Sequence, residues 1–190
     1  DVRDRLPARG PLAAATMAGT VSGWQLAFEA AATVGGRLPL SRLLRDAEHH
    51  ARAGVQVASG LARALGGKRA ELARQPGFTE HFTTHGGSPE TGDLLRQPRL
   101  ADTLTQLGRA GLDDFYRGDV ANRLVADIAA AGGVVDAQDL ANCKAELRDA
   151  PTIDWRGSHL VHTAGGLTAA PTLERVVAGF GIHAEGGAGR

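Results

Sequence analysis

Apolar residues recur at intervals of three and four along most of the chain, which is the spacing of one buried face of an α-helix. The clearest case is the segment 39–54, where leucines and alanines form one face and charged residues the other. Glycine pairs after several segments predict where helices end. Helices are predicted over residues 19–34, 39–54, 57–65, 99–109, 120–131, 136–140 and 171–180, with a turn or short helix at 113–118 that anchors Phe115 and Tyr116.

Local signals add detail to three of these helices. Residues 19–34 are apolar around much of the circumference, so this helix is expected to be packed on most sides. Gly66 and Gly67 are expected to end the helix over 57–65. Asp119 and Asp136 are expected to cap the helices that follow them, because an aspartate side chain can accept hydrogen bonds from the first backbone amides of a helix.

The remaining segments lack a helical period. Residues 74–98 are rich in Gly, Pro, Ser and Thr, which predicts a long connection with one helical turn. Residues 146–163 favour β structure on both sides of a WRGS turn and predict two strands, and the glycine-rich end, 186–190, predicts a frayed tail. The expected fold class is mainly α with a short β segment, in a single partial domain over residues 1–190.

Composition restricts the possible partners. A chain of 190 residues is long enough to bury a core, and its 21 basic and 21 acidic residues give a formal net charge of zero. No basic run is interleaved with aromatic residues, so nucleic acid is not an expected partner. No segment approaches the ~20 apolar residues that a membrane span requires. The lone Cys143 is expected to fill space in the interior. Since the sequence does not begin with Met, a signal or an upstream segment could have been removed or never included.

The stretch HFTTHGG, residues 81–87, looks most like a chemical site in this chain, because it combines two histidines with two adjacent threonines. His81 and His85 would share a helix face only if the threonines and glycines between and after them formed a helix, and the glutamate of an HExxH motif is absent. Thr84 would need an activating base to act as a nucleophile. A metal site, a nucleophile and a simple loop therefore remain open from the local sequence.

The other histidines do not suggest a metal site. His49 and His50 are adjacent on a predicted helix, so their side chains point about 100° apart. His159 and His162 would face opposite sides of a regular strand, because they are three positions apart. No metal ion and no organic cofactor are expected.

Several stretches together resemble the large subunit of the gamma-glutamyltranspeptidase family, in the family's order and with roughly its spacing. The first, DVRDRLP at 1–7, is similar to the family's Asp-aromatic-Arg-Glu-x-Ala-Pro segment. The long segment at 92–146 contains the family's Phe-Tyr-x-Gly, Gly-Gly-x-apolar and Asp-Leu elements. The other matching stretches are MAGTVSGWQLAFEA at 17–30, GRLPLSRLLRDAEHHARAGVQV at 36–57 and WRGSHLVHTAGGLTAAPTLERVV at 155–177.

The resemblance implies a central, helical part of the large subunit of an αββα N-terminal-nucleophile hydrolase, without the remainder of that fold. Members of this family are zymogens that cleave themselves into two subunits, and the freed N-terminal threonine attacks the amide. That threonine is expected beyond Arg190, so the chain itself holds no catalytic residue, and Thr84 of TTHGG is interpreted as a look-alike. The expected partners are the small subunit of the same precursor and a γ-glutamyl substrate, and the resemblance suggests a periplasmic or secreted protein.

Arg3 is the one substrate-binding residue that the resemblance implies. In the family the matching arginine binds the α-carboxylate of the γ-glutamyl group, and a planar guanidinium suits this task because it offers two parallel donors. The alternative is an exposed arginine at a mobile terminus, paired with Asp1 or Asp4. Two alternatives for the whole protein stay open: an acylase of the same fold that acts on another amide, and a helical scaffold or interaction module without catalysis. LTAAP at 167–171, in place of most of the family's Pro-Ser-Ser-Gly-Gly, also allows a divergent or inactive relative.

Overall fold

A computed structural model of the chain describes residues 7, 9–14, 16–147, 149, 152–155 and 158–161. The chain divides into two compact units, residues 1–146 and 147–190. The expectation of one partial domain over 1–190 stays a prediction. Arg3, His162, the predicted helix over 171–180 and the predicted tail at 186–190 lie outside the described residues.

The first unit is mostly helical, as the apolar spacing predicts. In chain order its described elements are α1 (Thr20–Thr33), α2 (Leu40–Ala53), β1 (Val55–Gln56), α3 (Ser59–Leu72), α4 (Phe78–Phe82), β2 (Leu94–Leu95), α5 (Pro98–Ala110), α6 (Asp114–Arg117), α7 (Asp119–Ala130) and α8 (Ala137–Asn142).

The second unit contributes an antiparallel hairpin of β3 (Thr152–Trp155) and β4 (Ser158–Val161). In the register of this hairpin, Ile153 pairs with Leu160 and Trp155 with Ser158. This confirms the two predicted strands. The predicted connection over 74–98 contains α4 and β2, and β2 pairs antiparallel with β1, so that Val55 faces Leu95.

The hydrophobic core of the first unit lies where α5 to α8 meet. Leu107 is only 2% exposed, and around it pack residues of all four helices and the first turn of α1. The buried members of this cluster are Val21, Leu107, Leu112, Tyr116, Val120, Ala121, Leu140 and Cys143. α2 lies along α5. A Cβ atom added to Gly108 of α5 would lie only 3.3 Å from the Cα of Ser41 in α2, so a small residue is needed at position 108.

The expectation that the first helix packs on most sides is wrong for the described residues. Only Val21 and Ser22 of α1 are buried, while Trp24 is 43% and Phe28 37% exposed. An apolar surface predicts burial, but it does not say whether the covering polypeptide belongs to the same chain. Within the described residues, α1 is covered only at its beginning.

Gly66 and Gly67 do not end a helix. Both lie inside α3, which continues to Leu72, and no atom outside the helix's own backbone lies within 4 Å of their would-be Cβ positions. A glycine costs a helix about 1 kcal/mol relative to alanine, and the following Lys68, Arg69, Ala70 and Glu71 are strong helix formers that outweigh this cost. Val57, expected in this helix, precedes it and is buried in the short segment between β1 and α3.

The caps of α7 and α8 differ from each other. Asp136 caps α8 in a capping box: its carboxylate accepts from the amides of Gln138 and Asp139, and the Asp139 side chain accepts from the Asp136 amide. This confirms one predicted cap. Asp119 instead is the first residue of α7, and its expected capping role is wrong.

The acceptor for α7 comes from the preceding helix. The Asp114 carboxylate accepts from the amides of Asp119 at 3.2 Å and Val120 at 3.1 Å. A side chain at position 118 would collide with Asp114, because a Cβ there would lie 2.1 Å from its Oδ1, so Gly118 makes this cap possible.

Candidate functional site

HFTTHGG is a structural turn in the described chain. α4 ends at Phe82, so His81 and His85 do not share a helix. Thr84 and Gly87 exchange backbone hydrogen bonds of 3.1 and 2.8 Å across a two-residue turn. Both central residues have positive φ, 48° at His85 and 76° at Gly86, the conformation that tight hairpin turns of type I′ require.

The Thr84 hydroxyl is engaged by a neighbouring carboxylate. It donates to Asp93 Oδ2 at 2.6 Å, and the Glu90 amide donates to the same oxygen at 2.9 Å. These hydrogen bonds, first that of Thr84 and then that of Glu90, lower the pKa of Asp93 below its ordinary value because they favour the ionised form. The backbone carbonyl of Asp93 also accepts from the Val57 amide, which joins the loop to the segment after β1.

These contacts give Thr84 a local structural role. Its amide nitrogen lies within the chain and donates to the Gly87 carbonyl, so it is not the α-amine that would activate an N-terminal threonine. The described residues also contain no group of three or more His, Cys, Asp or Glu side chains arranged to hold a metal ion. Of the three interpretations of HFTTHGG, the geometry favours the loop.

A buried tyrosine joins three distant parts of the first unit. The Tyr116 hydroxyl donates to the Ala18 carbonyl at 2.6 Å and accepts from the Ser22 amide at 2.8 Å. The Ser22 hydroxyl in turn accepts from the Ala145 amide at 2.7 Å. Burial raises the pKa of Tyr116, and the nearby Cys143 adds to this effect, so the phenol is neutral at physiological pH.

We call these four residues, Ala18, Ser22, Tyr116 and Ala145, the Tyr116 cluster. The sequence predicted a turn or short helix that anchors Tyr116, but it did not identify the hydrogen-bond partners of the Tyr116 hydroxyl. Both partners of the Tyr116 hydroxyl are backbone groups, of Ala18 and Ser22, and nothing in their local sequence reveals a contact about a hundred residues away. The available signal was that the MAGTVSGW and DDFYRG stretches, which the cluster brings together, both matched family motifs.

A groove of about 850 Å³ lies beside the segment 9–14. It runs between this segment, the end of α3, the start of α5 and the end of α7. Its two arginines are already engaged, Arg9 with Glu71 and Arg99 with Glu80 at 2.8 Å. The ion pairs are exposed and contribute little to stability, but Arg9 attaches to α3 the part of the chain that directly follows DVRDRLP.

The remaining sequence-predicted residues are distributed without forming a common site. Arg3, the proposed substrate ligand, lies outside the described residues. His49 and His50 are both exposed on α2, with ring centroids 5.6 Å apart. Cys143 is 5% exposed beside Tyr116, in agreement with a packing role. Among the described residues, no helix is long and apolar enough to cross a membrane.

Comparison with known proteins agrees with the pattern of motifs. The gamma-glutamyltranspeptidase family model matches residues 1–178. The chain is 46% identical to the oxamate amidohydrolase proenzyme of Klebsiella pneumoniae over 136 residues, which are 71% of this chain and 26% of that protein. It is 29% identical to glutathione hydrolase 2 of Arabidopsis thaliana, over 77% of this chain and 26% of the relative.

Solved structures show the same fold. The crystal structure of gamma-glutamyltranspeptidase from Helicobacter pylori superposes with a TM-score of 0.72 and 28% identity, over 85% of this chain and 45% of that one. This confirms the predicted fold class, a mainly helical part of an N-terminal-nucleophile hydrolase. The chain spans about a quarter of the length of the curated relatives named above, 26% in each case. The chain therefore belongs to the gamma-glutamyltranspeptidase family.

Proposed function

We propose that this chain is part of an enzyme that transfers or hydrolyses γ-glutamyl groups of glutathione-like amides. The observation that carries the proposal is the family match over residues 1–178. The catalytic threonine of this enzyme lies in polypeptide beyond Arg190. Its hydroxyl attacks the γ-amide carbon while its own α-amine takes the proton, and the C–N bond then breaks as that proton passes to the departing amine. Water or an amino acid next attacks the resulting ester, which releases the acyl group and restores the threonine hydroxyl.

Arg3 is the residue of this chain that we assign to the substrate. Its guanidinium binds the α-carboxylate of the γ-glutamyl group through two parallel hydrogen bonds. The support is the position of Arg3 in DVRDRLP, the stretch that is similar to the family's arginine-containing segment. The contacts of Thr84 with Asp93 and Gly87 support the assignment of the nucleophile to another part of the protein.

The test uses the precursor that contains this chain and two chromogenic amides. One is γ-glutamyl-p-nitroanilide, and the other is 4-aminobutyryl-p-nitroanilide, which lacks the α-carboxylate. Arg3→Ala is expected to raise KM for the γ-glutamyl amide by roughly a hundredfold, since two charge-assisted hydrogen bonds are lost. Arg3→Lys should be intermediate, and neither variant should change turnover of the amide without a carboxylate.

Thr84→Ala is the matched control. Self-cleavage and turnover are expected to remain at the level of the unmodified precursor, because Thr84 serves only the loop. The 190-residue chain by itself is expected to show no turnover. If Arg3→Ala lowers kcat/KM equally for both amides, the assignment of Arg3 is wrong. If Thr84→Ala abolishes self-cleavage, the assignment of Thr84 to the loop is wrong.

A second candidate function is hydrolysis of a short acid amide by the same kind of nucleophile. It is favoured by the 46% identity to an oxamate amidohydrolase proenzyme, against 29% to glutathione hydrolase 2. The two candidates are separated by kcat/KM for oxamate and for the γ-glutamyl amide, measured on the same preparation. If neither compound is turned over and the precursor does not cleave itself, the non-catalytic scaffold is the better interpretation.

A further inference from the structure

α1 has a composition that is unusual for a helix in contact with water. Its polar residues after the first turn lie four apart, at Gln25, Glu29 and Thr33, and form one narrow stripe. Gln25 Nε2 donates to Glu29 Oε1 at 3.2 Å along this stripe. The remaining positions of the helix after this turn are alanines and larger apolar residues. A helix with so wide an apolar surface is stable only where other polypeptide covers it.

The described residues leave this surface open. Trp24, Phe28 and the alanines at 27 and 31 share one side of α1, and all of them are exposed. By contrast, Val21 and Ser22 in the first turn are buried against the core. The exposed surface continues into neighbouring segments, where Met17 is 77%, Val34 86% and Leu38 58% exposed. Contiguous apolar surface of this kind marks a place where another polypeptide binds.

We infer that the apolar side of α1 is the docking surface for the rest of the same precursor. The inference rests on the proposed function in one respect, that the chain works as part of a longer polypeptide. Its occupant follows from length, since the chain corresponds to 26% of the K. pneumoniae relative and 45% of the H. pylori structure. The alanines allow a covering strand or helix to approach closely, while Trp24 and Phe28 supply buried area. Glu29 and Thr33 of the polar stripe are exposed and stay in contact with water, whereas Gln25 is half-buried.

The inference is tested by the rate at which single cysteines react with a bimane maleimide. Phe28→Cys and Ala27→Cys report on the docking surface, and Glu29→Cys is the matched control on the polar stripe of the same helix. The unmodified 190-residue chain and the unmodified precursor give the two backgrounds, and in the chain the one cysteine, Cys143, is buried. Each variant is measured twice, in the 190-residue chain and in the precursor.

In the 190-residue chain, all three introduced thiols are expected to react quickly. In the precursor, labelling at positions 27 and 28 is expected to slow by at least about tenfold, while Glu29→Cys stays fast. Equal reactivity of Phe28→Cys and Glu29→Cys in the precursor would overturn the inference. Slow labelling of Phe28→Cys in the 190-residue chain would overturn it too, and sedimentation would then tell whether a second copy or the chain itself covers α1.

The readout requires no turnover, so it separates this inference from the proposed function. A precursor that is inactive on every amide but protects position 28 supports the docking surface and contradicts the enzymatic proposal. An active precursor in which position 28 reacts as fast as position 29 does the reverse.

Discussion

The Tyr116 cluster and the loop around Asp93 are both held by side-chain hydrogen bonds. They differ in how deeply the central side chain is buried and in how far apart in sequence the bonded residues are. Tyr116 is 2% exposed, and its hydroxyl joins residues 94 and 98 positions away. Asp93 is half-buried and accepts hydrogen bonds from residues three and nine positions away. The loop contains the residues that look reactive in the sequence, whereas the cluster determines how distant segments meet. Reactive composition and structural importance are therefore separate properties in this chain.

The largest effect is expected from Tyr116→Ala. It removes a buried ring and leaves the Ser22 amide and the Ala18 carbonyl without their partner, so it should cost about 3–5 kcal/mol of unfolding free energy. Tyr116→Phe keeps the ring and should cost about 1–3 kcal/mol. Urea unfolding followed by circular dichroism measures both. A loss in Tyr116→Phe near zero would mean that the hydroxyl does not hold the cluster.

Gly118→Ala, next to the Tyr116 cluster, is expected to lower the unfolding free energy by an amount similar to or smaller than that for Tyr116→Phe. The added Cβ would lie 2.9 Å from the Asp114 Cα and closer still to its carboxylate, so Asp114 must move and α7 loses its cap. Overpacking of this kind costs about 1–3 kcal/mol.

Gly66→Ala is the control for Gly118→Ala, because no atom outside its helix lies near that position in α3. It should raise the unfolding free energy by about 0.5–1 kcal/mol. Equal responses of the two glycines would contradict the account of the α7 cap.

The Asp93 loop is expected to respond to acid. Because the folded-state pKa of Asp93 is lowered, its contribution to stability is fully present above the ordinary pKa of an aspartate, about 3.9, and is lost as the pH falls through the lower folded value. The difference in unfolding free energy between the unmodified chain and Asp93→Asn should therefore be constant from pH 7 to about 5 and shrink below pH 4. A constant difference down to pH 2 would show that the carboxylate is not specially stabilised.

The smallest effect is expected from Thr84→Val, which removes one hydrogen bond to Asp93 in a half-exposed turn. Its loss of unfolding free energy should be at most about half that of Tyr116→Phe, since water can replace the hydroxyl. Thr84→Val should also move the acid-sensitive range toward higher pH, because Asp93 then loses the largest contribution to its lowered pKa. A loss equal to that of Tyr116→Phe would erase the distinction between the two regions.

Much of the fold was predictable because helix signals are local. The apolar spacing identified α2, α5 and α7 to within a residue or two, and the Asp136 cap could be predicted because its partners follow within three residues. β1 and β2 have two residues each and pair across almost forty positions, so no local pattern marks them. The Asp114 cap was missed because it reaches α7 from an earlier helix.

The candidate site was harder to predict from the sequence than the fold, for physical reasons. Periodicity identifies the apolar surface of α1, but it does not say whether residues of this chain cover that surface. The role of Thr84 depends on Asp93, which becomes a hydrogen-bond partner only once the turn at His85 and Gly86 forms. Arg3 was assigned from a motif alone and stays a prediction.

The hydrogen bond from the Ala145 amide to the Ser22 hydroxyl constrains the timing of folding during synthesis. A ribosome makes the start of α1 well before residue 145, so Ser22 waits for its partner until the chain has grown by 123 residues. Helices such as α2 and α3 need only nearby residues and can form on the growing chain, whereas closure around Tyr116 must wait for later residues to emerge. Translation arrested shortly before residue 145 should therefore give nascent chains that are cut readily near Ser22 by added protease.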